Sequence, residues 1–481
     1  MTFNKKHNFK REGQLSLEVI FFAAVVLIIM TGFIFWALSF LKLSVRVFYK
    51  TMAFSVAEGG IEYYRWHLAH NTTDYWDGQG STSTGPYTHD YYDKNGQKIG
   101  SFSLEITPPP TGSTIVTVRS TGRVIADSSV DKVIEVRMGI PSFAKYAWAI
   151  NGDVNFGTAA EVFGPVHSNG GLHFDGLAHN LVTSALTSYD DPDHQEPGTD
   201  PLEFSVHTHR APVDPLPPAA VPSRTDVFQV GRQLSVPAVD FPGLTQDLAQ
   251  IRADASSTGF YRPSSTAFGY DMLFKTNDTF DLFRVTALVP PGSCTSSQSY
   301  WGTWSIQSST LLGNYPFPTS GLIFLEDNVW VRGQINTARL TLGSGRFPNQ
   351  QSTWSSITIN NDLLYTNYDG QDTIGLISQN NVNIGLVSED DLRVDGALIA
   401  QNGRVGRHSY SQSACGSTRS RALFTSYGML GSNTRPGFYY SATNGYQARN
   451  YIYDANLLYG PPPSFPLTSD NYTQISWEEI K

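Results

Sequence analysis

The sequence predicts an α+β, mostly β protein in which a long N-terminal transmembrane helix precedes a small antiparallel sheet and a large β-solenoid-like domain of the parallel β-helix type. Residues 19–41 form an uncharged apolar run. Between residues 101 and 138, short segments alternate apolar and polar side chains. From about residue 146, apolar pairs at i and i+2 are separated by turns rich in Gly, Asn and Asp. These three patterns predict the helix, the sheet and the solenoid in that order.

Composition and charge exclude several classes of protein. The chain has 481 residues, which is long enough for two or more domains. Charged residues make up 16% and aromatic residues 13%, a mixture that argues against a disordered or coiled-coil chain. The net charge is −9 and basic residues cluster only near the N-terminus, so we expect no nucleic acid partner. We also expect no cofactor, because the chain carries no P-loop, GxSxG or HExxH motif.

The N-terminal segment has the pattern of a membrane anchor. Residues 1–13 carry four basic side chains against one acid, and residues 19–41 carry no charge. At ~1.5 Å per residue the uncharged run spans ~35 Å, enough to cross a hydrocarbon core of ~30 Å. It is longer than the ~7–15 apolar residues of a cleaved secretory signal. The basic flank predicts that the first residues stay in the cytoplasm and the rest of the chain lies outside the inner membrane.

A short motif separates a simple signal anchor from a more specific anchor. The basic leader ends at Gly13, Gln14 follows, and Glu18 is the fifth residue after the glycine, with apolar residues beginning on both sides of it. This pattern resembles the type IV prepilins. The resemblance implies cleavage between Gly13 and Gln14 by a prepilin peptidase, and a single-pass protein that reaches the cell surface or a pilus. The family usually has Phe where this chain has Gln14.

Glu18 is the residue that the resemblance assigns to subunit assembly. A carboxylate at the edge of a membrane helix is energetically costly and usually marks a partner. Cleavage would free an α-amino group whose pKa of ~8 leaves it cationic at neutral pH. In pilins the glutamate meets the new N-terminus of a neighbouring subunit. Other pilin subunits and the pilus assembly machinery are therefore the expected partners.

The N-terminal helix is expected to continue to about residue 70, giving a pilin-type helix over 14–70. Apolar residues at Val45, Phe48, Met52 and Val56 recur with helical spacing. The string AEGGIEYYRW resembles the AEAGIE segment of PilX-like pilus assembly accessory proteins. Its two adjacent glycines allow a bend or a close approach to the helix, or they are merely tolerated.

Two regions follow the helix. Residues 71–145 begin with a polar loop and then contain the alternating runs SFSLEI, TIVTVR and KVIEVRM, which predict a small antiparallel sheet packed on the helix. Residues 146–481 are predicted to form the solenoid-like extracytoplasmic domain, with a sandwich as the alternative. A Pro-rich stretch over 190–242 reads as an extended surface insertion, followed by a helix over 243–256. Several segments, including NYIYDANLLYGPPPSFP, resemble uncharacterised domains that follow PilX-like N-termini.

The two cysteines, Cys294 and Cys415, leave two interpretations open. Outside the membrane they could form a disulfide that closes a long loop. They could equally be two free thiols, because sequence alone does not show whether their side chains meet.

The histidines offer a weak metal signal. His207 and His209 would share one face of a strand, and His167, His173 and His194 lie in the same half of the chain. A zinc site requires three or four converging ligands. We therefore expect exposed or hydrogen-bonded histidines in a polar loop, and no metal.

An acidic stretch supplies the alternative of an enzyme. Asp391, Arg393 and Asp395 alternate onto one face of a strand, as the active groups of a membrane-tethered β-solenoid polysaccharide lyase or hydrolase would. Together with Glu389 and Asp390, the aspartates also form an acidic patch that would either hold Ca²⁺ or be a solvated turn, which we favour. We expect no enzyme, because a tethered enzyme would not need the motif at the N-terminus.

Aromatic residues near the C-terminus are candidates for surface recognition. Tyr439, Tyr440, Tyr446, Tyr451 and Tyr453 could stack on a surface glycan or contact a protein receptor. The alternative, which we favour for most of them, is that they fill the core. The sequence therefore predicts a minor pilin or pseudopilin-like structural protein that displays a large β-domain for surface interaction or adhesion.

Overall fold

The structure is a computed structural model that describes residues 12–193, 201–241, 244–289, 294, 302–468 and 471–480. It contains two compact units. The first, here called the helix–sheet unit, comprises Met1–Pro108, Ile115–Gly139 and Asn471–Lys481. The second, here called the β-rich unit, comprises Pro109–Thr114 and Ile140–Asp470.

The α-helices are α1 (Glu12–His70) and α2 (Leu244–Thr258), and short 3₁₀ turns lie at Phe143–Lys145, Gln351–Thr353, Ser413–Arg419 and Ala455–Leu458. The strands, in chain order, are β1 (Tyr87–Tyr92), β2 (Lys98–Thr107), β3 (Ile115–Val124), β4 (Asp127–Gly139), β5 (Trp148–Ile150), β6 (Val154–Phe156), β7 (Ala160–Phe163), β8 (Val166–Ser168), β9 (Leu172–Phe174), β10 (Leu177–Ala178), β11 (Val182–Ser184), β12 (Ser188–Tyr189), β13 (Glu203–Phe204), β14 (Val206–His207), β15 (Arg232–Gln233), β16 (Phe260–Arg262), β17 (Gly269–Lys275), β18 (Thr279–Leu288), β19 (Ile306–Pro316), β20 (Leu322–Leu325), β21 (Val329–Gln334), β22 (Arg339–Ser344), β23 (Ile357–Thr358), β24 (Leu363–Leu364), β25 (Thr373–Ser378), β26 (Val382–Ile384), β27 (Asp391–Ala400), β28 (Val405–Arg407), β29 (Ser420–Ser432), β30 (Tyr439–Ser441), β31 (Asn444–Tyr453) and β32 (Thr473–Glu479).

Helix α1 changes character along its length. Its N-terminal part is long and apolar enough to cross a membrane, with a mean hydropathy of 2.7 over an 18-residue window that is not buried within the chain. Burial begins only near residue 53, and the buried positions then recur every three or four residues, as expected for a helix with one face on a sheet. They are Ala53, Val56, Ala57, Ile61, Tyr64 and Leu68. The buried stripe therefore begins later in the helix than predicted, because Val45 and Phe48, which were assigned to it, are exposed.

The sheet of the helix–sheet unit is antiparallel, with its strands in the order β1-β2-β3-β4-β32. Alternate side chains of β3 and β4, such as Val118 and Ile134, are fully buried and pack in one apolar cluster with the buried face of α1. Of this small antiparallel sheet, β2, β3 and β4 were predicted, whereas β1, which lies in the segment interpreted as a polar loop, and β32 were not. Strand β32 pairs with β4, so the chain's C-terminus belongs to this sheet and not to the 146–481 region in which it was placed.

Two glycines allow the helix to lie close to this sheet. A Cβ atom on Gly122 of β3 would overlap the carbonyl oxygen of Ala53 and the backbone of Ala57. One on Gly60 of α1 would lie 2.8 Å from the ring of Phe102. The sequence left a bend, a close approach or simple tolerance open for the paired glycines of α1. The structure therefore supports a close approach of the sheet to the helix at Gly60.

The strands of the β-rich unit pair mainly in parallel, which confirms a large β-rich region after the helix. One parallel ladder runs β16-β20-β22-β25-β27-β29-β5-β8-β11-β15. A second runs β17-β21-β23-β26-β28. The first ladder joins β29, late in the chain, directly to β5, so strands that are distant in sequence are neighbours in the sheet. An antiparallel extension, β17-β18-β19, leaves this arrangement.

Register in the first ladder stacks apolar side chains above one another. Parallel pairing without register slips places side chains of the same face in line. One such column is fully or almost fully buried and consists of Leu342, Leu376, Leu398, Leu430, Trp148, Val166 and Val182. This column lies in the main core of the β-rich unit.

The region 190–242 is more structured than the predicted surface insertion. Within its described part, β14 pairs with β9 and β15 pairs with β11. Phe228 and Phe241 are fully buried. The Pro-rich composition misled the sequence interpretation because the apolar anchors are widely spaced along it. Helix α2 follows as predicted, and its residues Leu248, Ile251 and Ala255 face the core.

The structure joins Cys294 and Cys415 in a disulfide, with Cα atoms 4.7 Å apart and a sequence separation of 121. Both sulfurs lie in a small apolar cluster with Leu386 and Tyr410. Closing a loop of this length removes conformational entropy from the unfolded chain, worth about 5 kcal/mol in the chain-entropy model. Of the two interpretations left open by the sequence, the structure therefore has the paired one.

We predict that Gly122→Ala destabilises the full-length protein by about 2–3 kcal/mol, because the new methyl group meets the backbone of α1, which has no rotamer with which to move aside. The measurement is the unfolding midpoint in detergent. The control is Gly152→Ala, where a Cβ atom has nothing within 4 Å. The free energy of unfolding of this control should stay within about 0.5 kcal/mol of the wild-type value. Equal midpoints for the two variants would contradict the close approach.

Candidate functional site

The N-terminal motif lies at the start of α1. Gly13 and Gln14 belong to the helix, although their side chains lie outside the described part of the structure. Glu18 is described and exposed. Gln14 and Glu18 are four residues apart, so they occupy one face of the helix, about one turn from each other. Residues 1–11 of the predicted leader lie outside the described residues.

The acidic groups suggested for an enzyme are held in structural hydrogen bonds. Asp395 is fully buried. One of its oxygens accepts from the Tyr365 backbone N–H at 3.0 Å and from the Tyr368 hydroxyl at 2.7 Å. The other accepts from Arg393 Nε at 2.9 Å. Burial, followed by the bond to Asp395, raises the pKa of Tyr368. Asp391, by contrast, is exposed.

The rest of the acidic patch caps backbone groups. Glu389 accepts from the Asn361 side chain at 2.9 Å and from the Asp362 N–H at 3.3 Å. Asp390 accepts from the Ala422 N–H at 3.1 Å. Burial and the neighbouring Glu389 carboxylate raise the pKa of Asp362. These carboxylates therefore organise a turn, as favoured from the sequence, and the calcium alternative stays untested.

The tyrosines near the C-terminus divide into two groups. Tyr446 and Tyr451 are buried in the main core, and Tyr453 packs against it. Tyr439 is 44% exposed and Tyr440 is 37% exposed. The first group has the core-filling role that the sequence favoured, and the second is available to a ligand.

Tyr439 and Tyr440 line a cleft of about 450 Å³ in the β-rich unit, here called the aromatic cleft. Its other walls include Trp148, Phe156 and Phe438. The polar lining residues are Asn155, Asp193, Arg435 and Arg449. A concave surface with aromatic walls and a few polar groups is typical of small-ligand and carbohydrate sites.

The polar groups of the aromatic cleft are fixed by specific contacts. The Arg449 guanidinium lies 4.9 Å from the ring centroid of Tyr439, and Arg435 Nη2 lies 2.5 Å from Asp193 Oδ2. Among the described residues, the indole N–H of Trp148 has no hydrogen-bond acceptor.

A second constellation lies close to the cleft and is here called the histidine cluster: His173, Asp191, His207 and His209. One potential ligand atom from each lies within 4.8 Å of those of the others. His173 Nδ1 is 2.9 Å and His207 Nε2 is 3.4 Å from Asp191 Oδ2. Glu203 joins the cluster, 2.8 Å from His207 and 2.9 Å from His209.

The cluster is buried and electrically balanced by its own members. His207 is 1% exposed and Asp191 is 3% exposed. Burial lowers the pKa of His207, but the contacts with Asp191 and Glu203 outweigh burial and raise the pKa to about 9. Burial raises the pKa of Asp191, but the close contacts with His173 and His207 give a net decrease.

The histidines differ from their sequence-based expectation. His173 and His207 are buried, not exposed in a polar loop, because β9 and β14 are adjacent parallel strands. His167 lies apart from the cluster and contacts Thr183 and Asn169. His194 lies outside the described residues.

Sequence reasoning also missed the two acids of this group. Glu203, His207 and His209 fall within one short segment, EFSVHTH, and that spacing was the available signal. Asp191 carried no such signal, because only the fold brings β12 and the turn after it to β14. The spacing of these residues in the sequence does not by itself assign a metal to the group.

Comparison with known proteins gives only a distant structural likeness. No protein-family model matches the chain. No curated protein matches it either. The crystal structure of the competence-associated pilin ComZ from Thermus thermophilus is similar, with a TM-score of 0.33 and 12% identity over 89% of this chain and 97% of that chain. A likeness of this size assigns no function to the chain.

We predict that Asp395→Asn destabilises the protein by about 2 kcal/mol, because a buried amide cannot accept from all three donors that the carboxylate serves, namely the Tyr365 N–H, the Tyr368 hydroxyl and Arg393 Nε. The matched control is Asp391→Asn on the same strand, which removes an exposed carboxylate and should change stability by about 0.5 kcal/mol at most. Unfolding midpoints measure both. A stable, folded Asp395→Asn protein would contradict the structural role and revive a chemical one.

Proposed function

We propose that this chain is a minor pilin or pseudopilin-like structural subunit of a type IV pilus or a related secretion filament, with no catalytic role. The supporting observation is the combination of the Gly13–Glu18 motif with the two halves of α1. The first half is apolar on all sides and uncovered, and the second half packs on an antiparallel sheet. A helix of this kind suits a protein that resides in a membrane before it assembles with the helices of other subunits.

The proposed topology follows from charge and hydropathy. The basic leader stays in the cytoplasm, the uncharged run crosses the inner membrane once, and the rest of the helix–sheet unit and the whole β-rich unit are extracytoplasmic. A prepilin peptidase cuts after Gly13. Removal of the leader leaves Gln14 as the first residue, with its α-amino group at the membrane edge.

Subunit assembly rests on a pairing between Glu18 and a neighbouring N-terminus. Gln14 and Glu18 are about 6 Å apart along the helix axis, given a rise of ~1.5 Å per residue. A neighbour displaced by about one helical turn therefore brings its α-amino group level with the Glu18 carboxylate. Pairing neutralises two charges in an apolar filament core, where either charge alone is unfavourable.

The size of the β-rich unit favours a minor subunit. It comprises more than 300 residues carried on one thin helix, including Ile140–Asp470. Bulk of this kind suits a few copies or a filament tip better than a tightly packed shaft. The parallel ladders support a solenoid-like winding of the unit, and the aromatic cleft supports a role in surface recognition, with a glycan as the proposed ligand.

The alternative of a polysaccharide lyase or hydrolase has less support. Asp395, its best catalytic candidate, is buried and accepts hydrogen bonds at both oxygens. A general acid or base must reach its substrate. We therefore propose binding without catalysis for the β-rich unit.

We predict that Glu18→Ala still inserts in the membrane but enters filaments at least about tenfold less, since a lone α-amino charge in the apolar core costs about 3–5 kcal/mol. The measurement is the ratio of filament-associated to membrane-associated protein. The control is Glu58→Ala, which removes an exposed carboxylate from the same helix beyond the membrane segment. Unchanged incorporation of Glu18→Ala would reject the pairing.

Mass spectrometry of the mature N-terminus tests the anchor directly. The proposal requires a chain that begins at Gln14. A protein that keeps residues 1–13 while functioning in the envelope is a plain tethered domain.

We predict that Tyr439→Ala weakens glycan binding at least about tenfold, because the exposed ring supplies the stacking surface. A tenfold rise in Kd corresponds to a loss of ~1.4 kcal/mol of binding free energy. The measurement is calorimetric titration of the full-length protein in detergent against a panel of oligosaccharides. Tyr92→Ala, on an exposed ring of the helix–sheet unit, is the control. A wild-type protein that binds no member of the panel would remove the glycan from the proposal.

A further inference from the structure

We propose that the histidine cluster is a binding site for one divalent transition-metal ion, with Zn²⁺ as the expected occupant. This inference is independent of the proposed filament role. It replaces the sequence-based expectation that the chain binds no metal.

The donor atoms converge as one ion would require. Zn²⁺ binds imidazole nitrogen and carboxylate oxygen at ~2.0–2.2 Å, so ligand atoms in a tetrahedron lie about 3.3–3.5 Å apart. In the cluster, the two contacts that Asp191 Oδ2 makes with His173 and His207 are 2.9 and 3.4 Å. All four ligand atoms lie within 4.8 Å of one another.

The ring of His207 presents its Nε2 to the cluster. Its Nδ1 lies 3.1 Å from the Phe204 carbonyl oxygen, which can only accept, so Nδ1 carries a proton. Nε2 is therefore the nitrogen left to ligate an ion, and it lies 2.8 Å from Glu203 Oε2 and 3.4 Å from Asp191 Oδ2. Among the described residues, neither His207 Nε2 nor Asp191 Oδ2 has a partner with hydrogen-bond geometry, although the two atoms are close. A cation between them satisfies both.

His173 is arranged in the same way. Its Nε2 lies 3.1 Å from Asp175 Oδ2, and its Nδ1 lies 3.4 Å from the Asn155 side-chain amide, which can donate to it. Asp175 therefore holds Nε2, and Nδ1 is the nitrogen that faces the cluster, 2.9 Å from Asp191 Oδ2. A carboxylate that orients a histidine through its other nitrogen is a recurrent feature of metal sites.

Asp175 supports the cluster from both of its oxygens. Its Oδ1 accepts from the Thr208 hydroxyl and from the backbone N–H groups of His209 and Arg210, at 2.9–3.1 Å. One carboxylate therefore fixes the ring of His173 and the backbone that carries His209. Sites that bind metal tightly are held by such outer contacts.

The donor types select the class of metal. Three imidazoles with a carboxylate suit Zn²⁺, Co²⁺ or Ni²⁺, whereas Ca²⁺ and Mg²⁺ prefer sets made of oxygen. Burial of His173, Asp191 and His207 indicates a closed, structural site and not one with an open catalytic position. Glu203 adds a second carboxylate that balances the charge of a divalent ion.

A bound ion would fasten segments that are separate in sequence. The ligands come from β9, from the turn after β12 and from β14 with the residue pair after it. Asp191 Oδ1 also accepts from the Asp193 N–H at 3.0 Å, and Asp193 lines the aromatic cleft. The metal site therefore supports one wall of that cleft.

The test is metal binding by the full-length protein, purified in detergent and stripped with EDTA. We expect ~1 Zn²⁺ per chain by calorimetry and elemental analysis, and a rise in the unfolding midpoint on adding ZnCl₂. CoCl₂ should give the visible absorption bands of tetrahedral Co²⁺. A stripped wild-type protein that takes up neither ion and keeps the same midpoint overturns the proposal, and leaves an ion-pair cluster.

Variants locate the site. His207→Ala removes a direct ligand, and Asp175→Asn weakens the orientation of His173, so Zn²⁺ affinity should fall about 10–100-fold in the latter and further in the former. His209→Ala, at the most exposed ligand, serves if His207→Ala fails to fold. The control is His179→Ala, which removes a partly exposed imidazole paired with Glu161 outside the cluster. Undiminished affinity in His207→Ala or His209→Ala, or equal loss in His179→Ala, would place the metal elsewhere.

Discussion

The helix–sheet unit depends on how apolar surface is distributed around α1. Over residues 19–41 the helix is uncharged and almost entirely exposed within the chain, so contact with water is unfavourable for it. From Ala53 onward the buried residues form one stripe, which the sheet covers. Glycines at Gly60 and Gly122 bring the two surfaces into direct contact. One continuous helix therefore combines two environments, lipid or other helices first and a sheet second.

The β-rich unit obtains its core in a different way. Its strands are short, and each buries only a few apolar side chains by itself. Parallel pairing in constant register stacks these side chains into columns, so that the core grows with each added strand. Parallel pairing of β29 with β5 continues one column of buried side chains from the late part of the chain into its early part. The disulfide ties Cys415 to Cys294 within this unit.

Charged groups inside the β-rich unit occur in two kinds of setting. Around Asp395 the hydrogen bonds are complete, with donors from a backbone amide, a hydroxyl and a guanidinium, and such a network is stabilising and chemically quiet. In the histidine cluster, Asp191 Oδ2 and His207 Nε2 lie 3.4 Å apart without hydrogen-bond geometry. The acidic strand, which the sequence offered only as the alternative of an enzyme, is therefore a structural network, and the incomplete contacts lie at histidines for which the sequence predicted no metal.

The sequence by itself determined the features that are local along the chain. The apolar run, the Gly13–Glu18 spacing and the strand alternation over 101–138 each depend on neighbouring residues, so the membrane-type helix, the prepilin-like motif and the small sheet could be predicted. Only the tertiary structure decided that β32 completes the sheet, that Cys294 meets Cys415, and that Asp191 joins His173 and His207. These contacts link residues from 16 to more than 300 positions apart, and they depend on which strands become neighbours, which no local pattern specifies.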